Sequence, residues 1–304
     1  MQRPWTAEIE VSADLAQALI ESQFAELAPI HIEPLGVGWD NTAYRVNGEY
    51  VFRFPRRQIA IELILTETRL LPLAAPRLPL PVPLPEFVGQ PTEHYPWPFS
   101  GYRMLAGRTA CAAGLDERQR TAAAEPLARF LAALHAIDAD EAAARGAGPD
   151  NFGRLVAQRR VPLLQERLQH LAQAGLIGEP QVWLAILAAA PSGPRGARPV
   201  LVHGDLYVRH LLVDQRGRLS GVIDWGDLHL NSPALDLAIA HTFLPASAHE
   251  QFRRAYGLID EETWRLARFR ALDEAITLVT FGHETGDADL LREGQWAFAQ
   301  LRHN

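Results

Sequence analysis

The stretch Leu201-Val202-His203-Gly204-Asp205-Leu206-Tyr207-Val208-Arg209-His210-Leu211-Leu212-Val213-Asp214-Gln215-Arg216-Gly217-Arg218-Leu219-Ser220-Gly221-Val222-Ile223-Asp224-Trp225 decides how the rest of the chain is read. Its apolar runs Leu211–Val213 and Gly221–Ile223 predict two antiparallel strands with a turn centred on Gly217. Pairing symmetric about Gly217 sets His210 opposite Asp224, and directly opposed residues share a face of the sheet. Asp205, in the loop before the first strand, then folds over the same spot. Two carboxylates and an imidazole gathered beside loops need a neutralising partner, and a divalent cation is the natural one. Taken singly, each of the three also fits a loop or strand-end polar group satisfied by backbone.

On either side of this segment the patterning changes. Helical spacing recurs over Glu117–Ile137, Val161–Gly175, Pro180–Ala190, Pro233–Phe243, Glu261–Phe281 and Ala288–Leu301, with Ser232-Pro233 as a helix start. The first third differs. Ile30–Leu35, Thr42–Val46 and Tyr50–Phe54 read as strands, with turns at Gly36-Val37-Gly38 and Asn47-Gly48. A helix follows from about Ile59 to Leu73. The proline-dense run Leu80–Pro85 reads as a stiff edge connection, since proline donates no backbone N–H. Phe99–Met104 reads as a strand leading out of this part. The expected class is α+β: residues 1–103 as an antiparallel sheet plus helix, and residues 104–304 mostly helical with an embedded β-hairpin.

Composition narrows the function. With 304 residues, 48% hydrophobic and 21% charged, the chain is expected to be globular. No apolar run spans a membrane and Met1–Trp5 lacks a signal-peptide core, so a cytoplasmic protein is expected. A net charge of −7 disfavours general nucleic-acid binding. The single cysteine, Cys111, can neither close an internal disulfide nor build a multi-cysteine zinc site. All 29 basic residues are arginine, so lysine Schiff bases, pyridoxal phosphate chemistry and the Gly-Lys-Ser/Thr phosphate loop are excluded. No serine lies in a Gly-x-Ser-x-Gly context, and His249-Glu250 and His283-Glu284 lack the second histidine of a zinc peptidase helix. Strand follows strand after the glycine turn, which excludes a dinucleotide-binding βαβ unit.

The run His203-Gly204-Asp205-Leu206, four positions to His210, then Ile223-Asp224-Trp225, resembles the catalytic and metal-binding segments of the aminoglycoside phosphotransferase family, whose fold is protein-kinase-like and bilobal. That family has Asn where this chain has His210; a histidine there is most similar to the macrolide phosphotransferase branch. The resemblance implies Asp205 as the catalytic aspartate, and Asp224 with His210 as ligands of magnesium or manganese. It makes His203 a structural histidine and Asp236 a buttress of the loop, and leaves Asp227 between outer-shell support and a solvated turn. Gly36 and Gly38 would cover the phosphates of ATP or GTP. Arg53 would stand where kinases carry lysine, paired with Glu67 rather than Glu62, and Met104-Leu105 would meet the purine edge. Arg56 and Arg57 read as phosphate contacts or a solvated turn.

The implied reaction moves the γ-phosphoryl group of a nucleoside triphosphate to a hydroxyl of a small molecule, an antibiotic of macrolide or aminoglycoside type. The alternatives are a kinase for choline, homoserine or a sugar, and a catalytically weak nucleotide-binding regulator. Nine acids between Gly257 and Asn304 read as a wall for a cationic acceptor or as a solvated surface. A monomer or weak dimer is expected, with no nucleic-acid or membrane partner.

Overall fold

The structure, a computed structural model, describes residues 6–38, 40–194 and 198–302. Trp39, within the glycine-bearing loop, lies outside the described residues, as do Met1–Trp5. The fold is mixed α and β, an N-terminal antiparallel sheet followed by a helical part, and it divides into two compact units. One comprises residues 1–76, 81–105 and 224–228; the other comprises 77–80, 106–223 and 229–304.

The first unit holds α1 (Ala13–Gln23), β1 (Ile32–Val37), β2 (Asn41–Val46), β3 (Tyr50–Pro55), α2 (Ile59–Ala74), β4 (Pro85–Gly89) and β5 (Phe99–Arg103). The strands form one antiparallel sheet in the order β1-β2-β3-β5-β4. Asn47 and Gly48 adopt φ of 53° and 70°, the left-handed conformation that an Asn-Gly turn supplies. Alternation along β3 works as expected: Phe52 and Phe54 enter an aromatic core with Tyr95 and Phe99, leaving Arg53 on the opposite face. Phe54 stacks on Phe99 at 4.7 Å.

Three features depart from the sequence reading. The helix α1 was not expected, although Ser12 caps it by accepting from the Leu15 N–H. Strand β1 continues through Gly36 to Val37, so the turn falls after Gly38 instead of across 36–38. The proline-dense run ends in an edge strand, β4, opened by Pro85 with a register shift between Pro85 and Phe87.

The second unit holds β6 (Arg108–Thr109), α3 (Ala110–Ala113), α4 (Glu117–His135), α5 (Ala139–Ala144), α6 (Ala157–Gln173), α7 (Gln181–Ala188), β7 (Val200–Val202), β8 (Leu211–Val213), β9 (Leu219–Val222), β10 (His229–Asn231), α8 (Ala234–Phe243), α9 (His249–Tyr256), α10 (Glu261–Thr285) and α11 (Ala288–Arg302). Helix α8 is buried along its whole length, which places Asp236 in the interior. Strands β8 and β9 pair antiparallel with β6 on the outer side of β8.

The register of that hairpin corrects the expected 210–224 pairing. Leu211 pairs with Val222, and the Ile223 N–H donates to the His210 carbonyl at 2.9 Å, so Ile223 faces His210. Two local events set the register, the second offsetting part of the first. The Asp214 carboxylate closes the turn early by accepting from the Arg216 and Arg218 amides. The register then shifts between Leu212 and Val213, where Ser220 has no partner in the ladder and donates to the Ala106 carbonyl.

A Cβ on Gly89 would overlap the ring of fully buried Phe99, which is pinned by its stack on Phe54. Gly89→Ala is therefore expected to destabilise the protein by about 1–3 kcal/mol, measured by urea unfolding.

Candidate active site

The segment from His203 to His210 is held from below by one buried carboxylate. Asp236 accepts the His203 amide at 2.7 Å and the Gly204 amide at 3.0 Å, and lies 3.2 Å from His135 Nε2. Burial alone would push this carboxyl upward, but the His135 hydrogen bond, the His135 and His203 charges and the Gly204 amide hold it below the usual carboxylate range. His203 is fully buried and accepts the Asp205 amide at Nδ1 (3.3 Å), so Nε2 carries the proton and donates to the Ile223 carbonyl at 3.0 Å. Burial lowers its pKa. The two side chains thus fix the backbone that presents Asp205, whose carboxylate is 40% exposed. Gly204 completes the turn at φ of 87°. Arg154 adds a 2.7 Å hydrogen bond to the Gly204 carbonyl.

His210 is brought to Asp205. Its ring is buried beside Tyr207, and Nδ1 donates to the Asp205 carbonyl at 2.7 Å, with the Asp205 carboxylate 3.9 Å away. That bond fixes the tautomer and leaves the lone pair on Nε2.

In the first unit, Arg53 holds two carboxylates at once. Nη1 donates to Glu67 at 2.7 Å and Nη2 to Asp224 at 3.0 Å. Arg53 and Glu67 are both buried, whereas the Asp224 side chain is 48% exposed. Glu62 is not the partner; its contact is Arg69. Asp224 adopts φ of 66°, sparsely populated for a residue with a Cβ and least costly for Asp or Asn. The Glu67 carboxyl is raised by burial, opposed by Arg53. Its Oε1 is buried without a hydrogen-bond partner.

The loop before β2 is tied down by residues that sequence reasoning left in a turn. Arg57 pairs with Asp40 at 3.0 Å, and Arg56 donates to the Gly38 carbonyl at 3.2 Å. A Cβ at Gly36 would meet open space. The Met104 N–H is committed to the Glu49 carbonyl at 2.7 Å. Asp40 is a residue the sequence reading missed as a site candidate. Its carboxyl is raised first by burial and further by Asp224 and Asp227, against the lowering effect of Arg57. The available signal was an acid in a loop expected to cover phosphates.

Asp40 feels the charges of Asp224 and Asp227, but among the described residues no group of three or more His, Cys, Asp or Glu side chains could hold a metal ion, so phosphate oxygens and water would have to supply most ligands of an ion bound there.

The C-terminal acids do not form an open acidic wall. Asp260 caps α10, Asp287 pairs with Arg209, Asp289 with Arg292 and Glu293 with Arg120. Asp273 is fully buried against Arg160 and Arg270.

Comparison with known proteins agrees with this geometry. The sequence profile of the phosphotransferase enzyme family matches residues 31–271, and the chain belongs to that family. It is 28% identical over 207 residues to the uncharacterized protein YcbJ of Bacillus subtilis (strain 168), an alignment covering 64% of this chain and 62% of that relative's length. The structure is similar to the GDP complex of aminoglycoside 2'-phosphotransferase-IIIa, with a TM-score of 0.69 and 25% identity over 95% of this chain and 98% of the other. It also shares its fold with a macrolide 2'-phosphotransferase from Brachybacterium faecium, with a TM-score of 0.59 and 24% identity over 92% and 97%. Its fold is that of the kinase-like phosphotransferases. No helix among the described residues is long and apolar enough to cross a membrane.

Asp236→Asn replaces an acceptor of two amides with a group that also presents N–H. A loss of about 1–3 kcal/mol is expected in thermal or urea unfolding. The wild-type carboxyl titrates below its unfolded value, so its contribution is present above the usual carboxylate range and is lost as pH falls through the lower folded value. The difference between wild type and Asp236→Asn should therefore shrink in acid.

Proposed function

We propose that this protein transfers the γ-phosphoryl group of ATP or GTP to a hydroxyl of a small molecule. The observation that carries the reading is the Asp236 carboxylate locking the His203 and Gly204 amides, which turns the Asp205 carboxylate outward on a rigid loop. In this role Asp205 accepts or orients the proton of the attacking hydroxyl. Arg53 binds a phosphate oxygen through the guanidinium arm that otherwise rests on Asp224, while Glu67 keeps the other arm fixed. Asp224 is the principal metal ligand, and His210 is the second candidate through Nε2, a nitrogen better matched to manganese than to magnesium. When bound, the metal neutralises charge on the phosphates. Gly36 and Gly38 let the loop approach those phosphates. The purine edge meets backbone at Leu105, because the Met104 N–H is already used. The similarity to a GDP complex supports a purine nucleotide as phosphoryl donor.

Acceptors of antibiotic type are supported by the likeness to aminoglycoside and macrolide phosphotransferases. One observation favours the second reading, a metabolite acceptor: several of the C-terminal acids that could attract an amino sugar are already paired with arginines, Asp273 among them and fully buried.

Asp205→Asn keeps shape and removes charge. Nucleotide affinity should survive, while turnover falls by about 10²–10⁴. Asp224→Asn should weaken metal–nucleotide binding as well as turnover. Calorimetric nucleotide titration beside a coupled ADP assay separates the two roles, and full activity in Asp205→Asn would overturn the assignment.

A further inference from the structure

The charges packed between α6 and α10 do not cancel. Asp273 takes Arg160 through Nε at 3.1 Å and Nη2 at 2.6–2.7 Å, and Arg270 through Nη1 at 3.1 Å. A third guanidinium, Arg167, lies two turns along α6 from Arg160 and on the same face. It is half-buried, and among the described residues no carboxylate lies within ion-pair distance of it. Its nitrogens reach only the Thr277 and Thr280 hydroxyls at 3.4 and 3.5 Å, the outer limit of a hydrogen bond. Burial and the neighbouring Arg160 both lower its pKa, with Asp273 and Glu284 opposing from longer range.

The other nearby acid adds little negative charge. Glu274 is buried and bonded to the Thr242 hydroxyl, and burial pushes its carboxyl up to about 8. Of the three arginines, Arg160 and Arg270 divide one carboxylate at ion-pair distance, that of Asp273, and Arg167 has none among the described residues. A half-buried cation without a counter-charge is costly, and an anion from outside relieves the cost. The planar guanidinium fork is suited to a carboxylate or phosphate. The cluster also reaches the reaction centre: Arg270 and Glu274 both lie within electrostatic range of the Asp205 carboxylate.

We propose that the seam between α6 and α10 is an anion subsite, in which Arg160, Arg167 and Arg270 receive an acidic group of the acceptor whose hydroxyl Asp205 engages. The proposal rests on the phosphotransferase reading above and names the acceptor's class: a hydroxylated compound bearing a carboxylate or phosphate. A polycationic amino sugar would bring like charge to Arg160 and Arg167. An acid held there would anchor the acceptor away from its reacting hydroxyl, leaving that oxygen to Asp205.

The test is thermal melting of the full chain at low ionic strength with four probes: sodium gluconate, inorganic phosphate, uncharged sorbitol and polycationic kanamycin. At least one anion should raise the melting temperature of the wild type, and the larger of the two shifts distinguishes carboxylate from phosphate. Sorbitol and kanamycin should give no comparable shift. Arg167→Gln should weaken the anion's affinity about tenfold or more. Arg167→Lys, which keeps the charge and loses the fork, should recover part of it. Arg167→Gln should melt no lower than wild type without probe, because it removes an unpaired charge; a purely structural arginine would give the opposite. An undiminished anion shift in Arg167→Gln, equal protection by kanamycin, or no shift with either anion would overturn the subsite. Nucleotide–metal titration of the wild type in the same buffer tests the underlying reading separately: failure to bind there removes the phosphotransferase reading whatever the anions do.

Discussion

A fully buried carboxylate holds the loop that presents Asp205. Asp236 sits on a helix buried along its entire length, and it spends its oxygens on two backbone amides and one imidazole. Those amides belong to His203 and Gly204, the residues that turn the chain toward Asp205. Removing the carboxylate would leave two buried N–H groups unsatisfied, each costing about 1–3 kcal/mol. The Asp205 carboxylate is therefore positioned by the buried interior rather than by the surface loop that carries it. His203 and His210 act on the same backbone, one receiving the Asp205 amide and the other donating to its carbonyl.

The second constraint is arginine where a lysine would be expected. The chain has no lysine, so the contact to Glu67 had to be made by a planar, permanently charged group. Arg53 exploits that fork by holding Glu67 and Asp224 together, something a point charge does less rigidly. The same all-arginine composition produces the surplus of guanidinium groups between α6 and α10. Both features follow from one compositional fact and have different chemical consequences.

Much of the fold was legible because local rules agreed with tertiary structure. Asn47-Gly48 demanded a left-handed turn and made one, and the alternation along Tyr50–Phe54 separated the aromatic core from Arg53. The failures have physical causes. The hairpin register slipped by one residue because Asp214 closed the turn early and the skipped Ser220 restored only part of the shift, neither of which apolar patterning reveals. Helix α1 has a serine cap and a short apolar face, but it was overlooked beside the stronger strand signals. Asp40 is not legible as a site residue, since its raised carboxyl depends in part on Asp224 and Asp227, which are distant in sequence.

The central claim is that phosphoryl transfer, and not nucleotide binding alone, is the activity of this chain. Phosphorus NMR of the purified protein with ATP or GTP, magnesium and a mixture of hydroxylated acids and sugars tests it directly. The account predicts stoichiometric appearance of nucleoside diphosphate and a new phosphate-ester resonance, both dependent on metal and on Asp205. Saturable nucleotide binding with no ester formed from any acceptor would contradict it and leave a nucleotide-binding regulator built on a kinase fold.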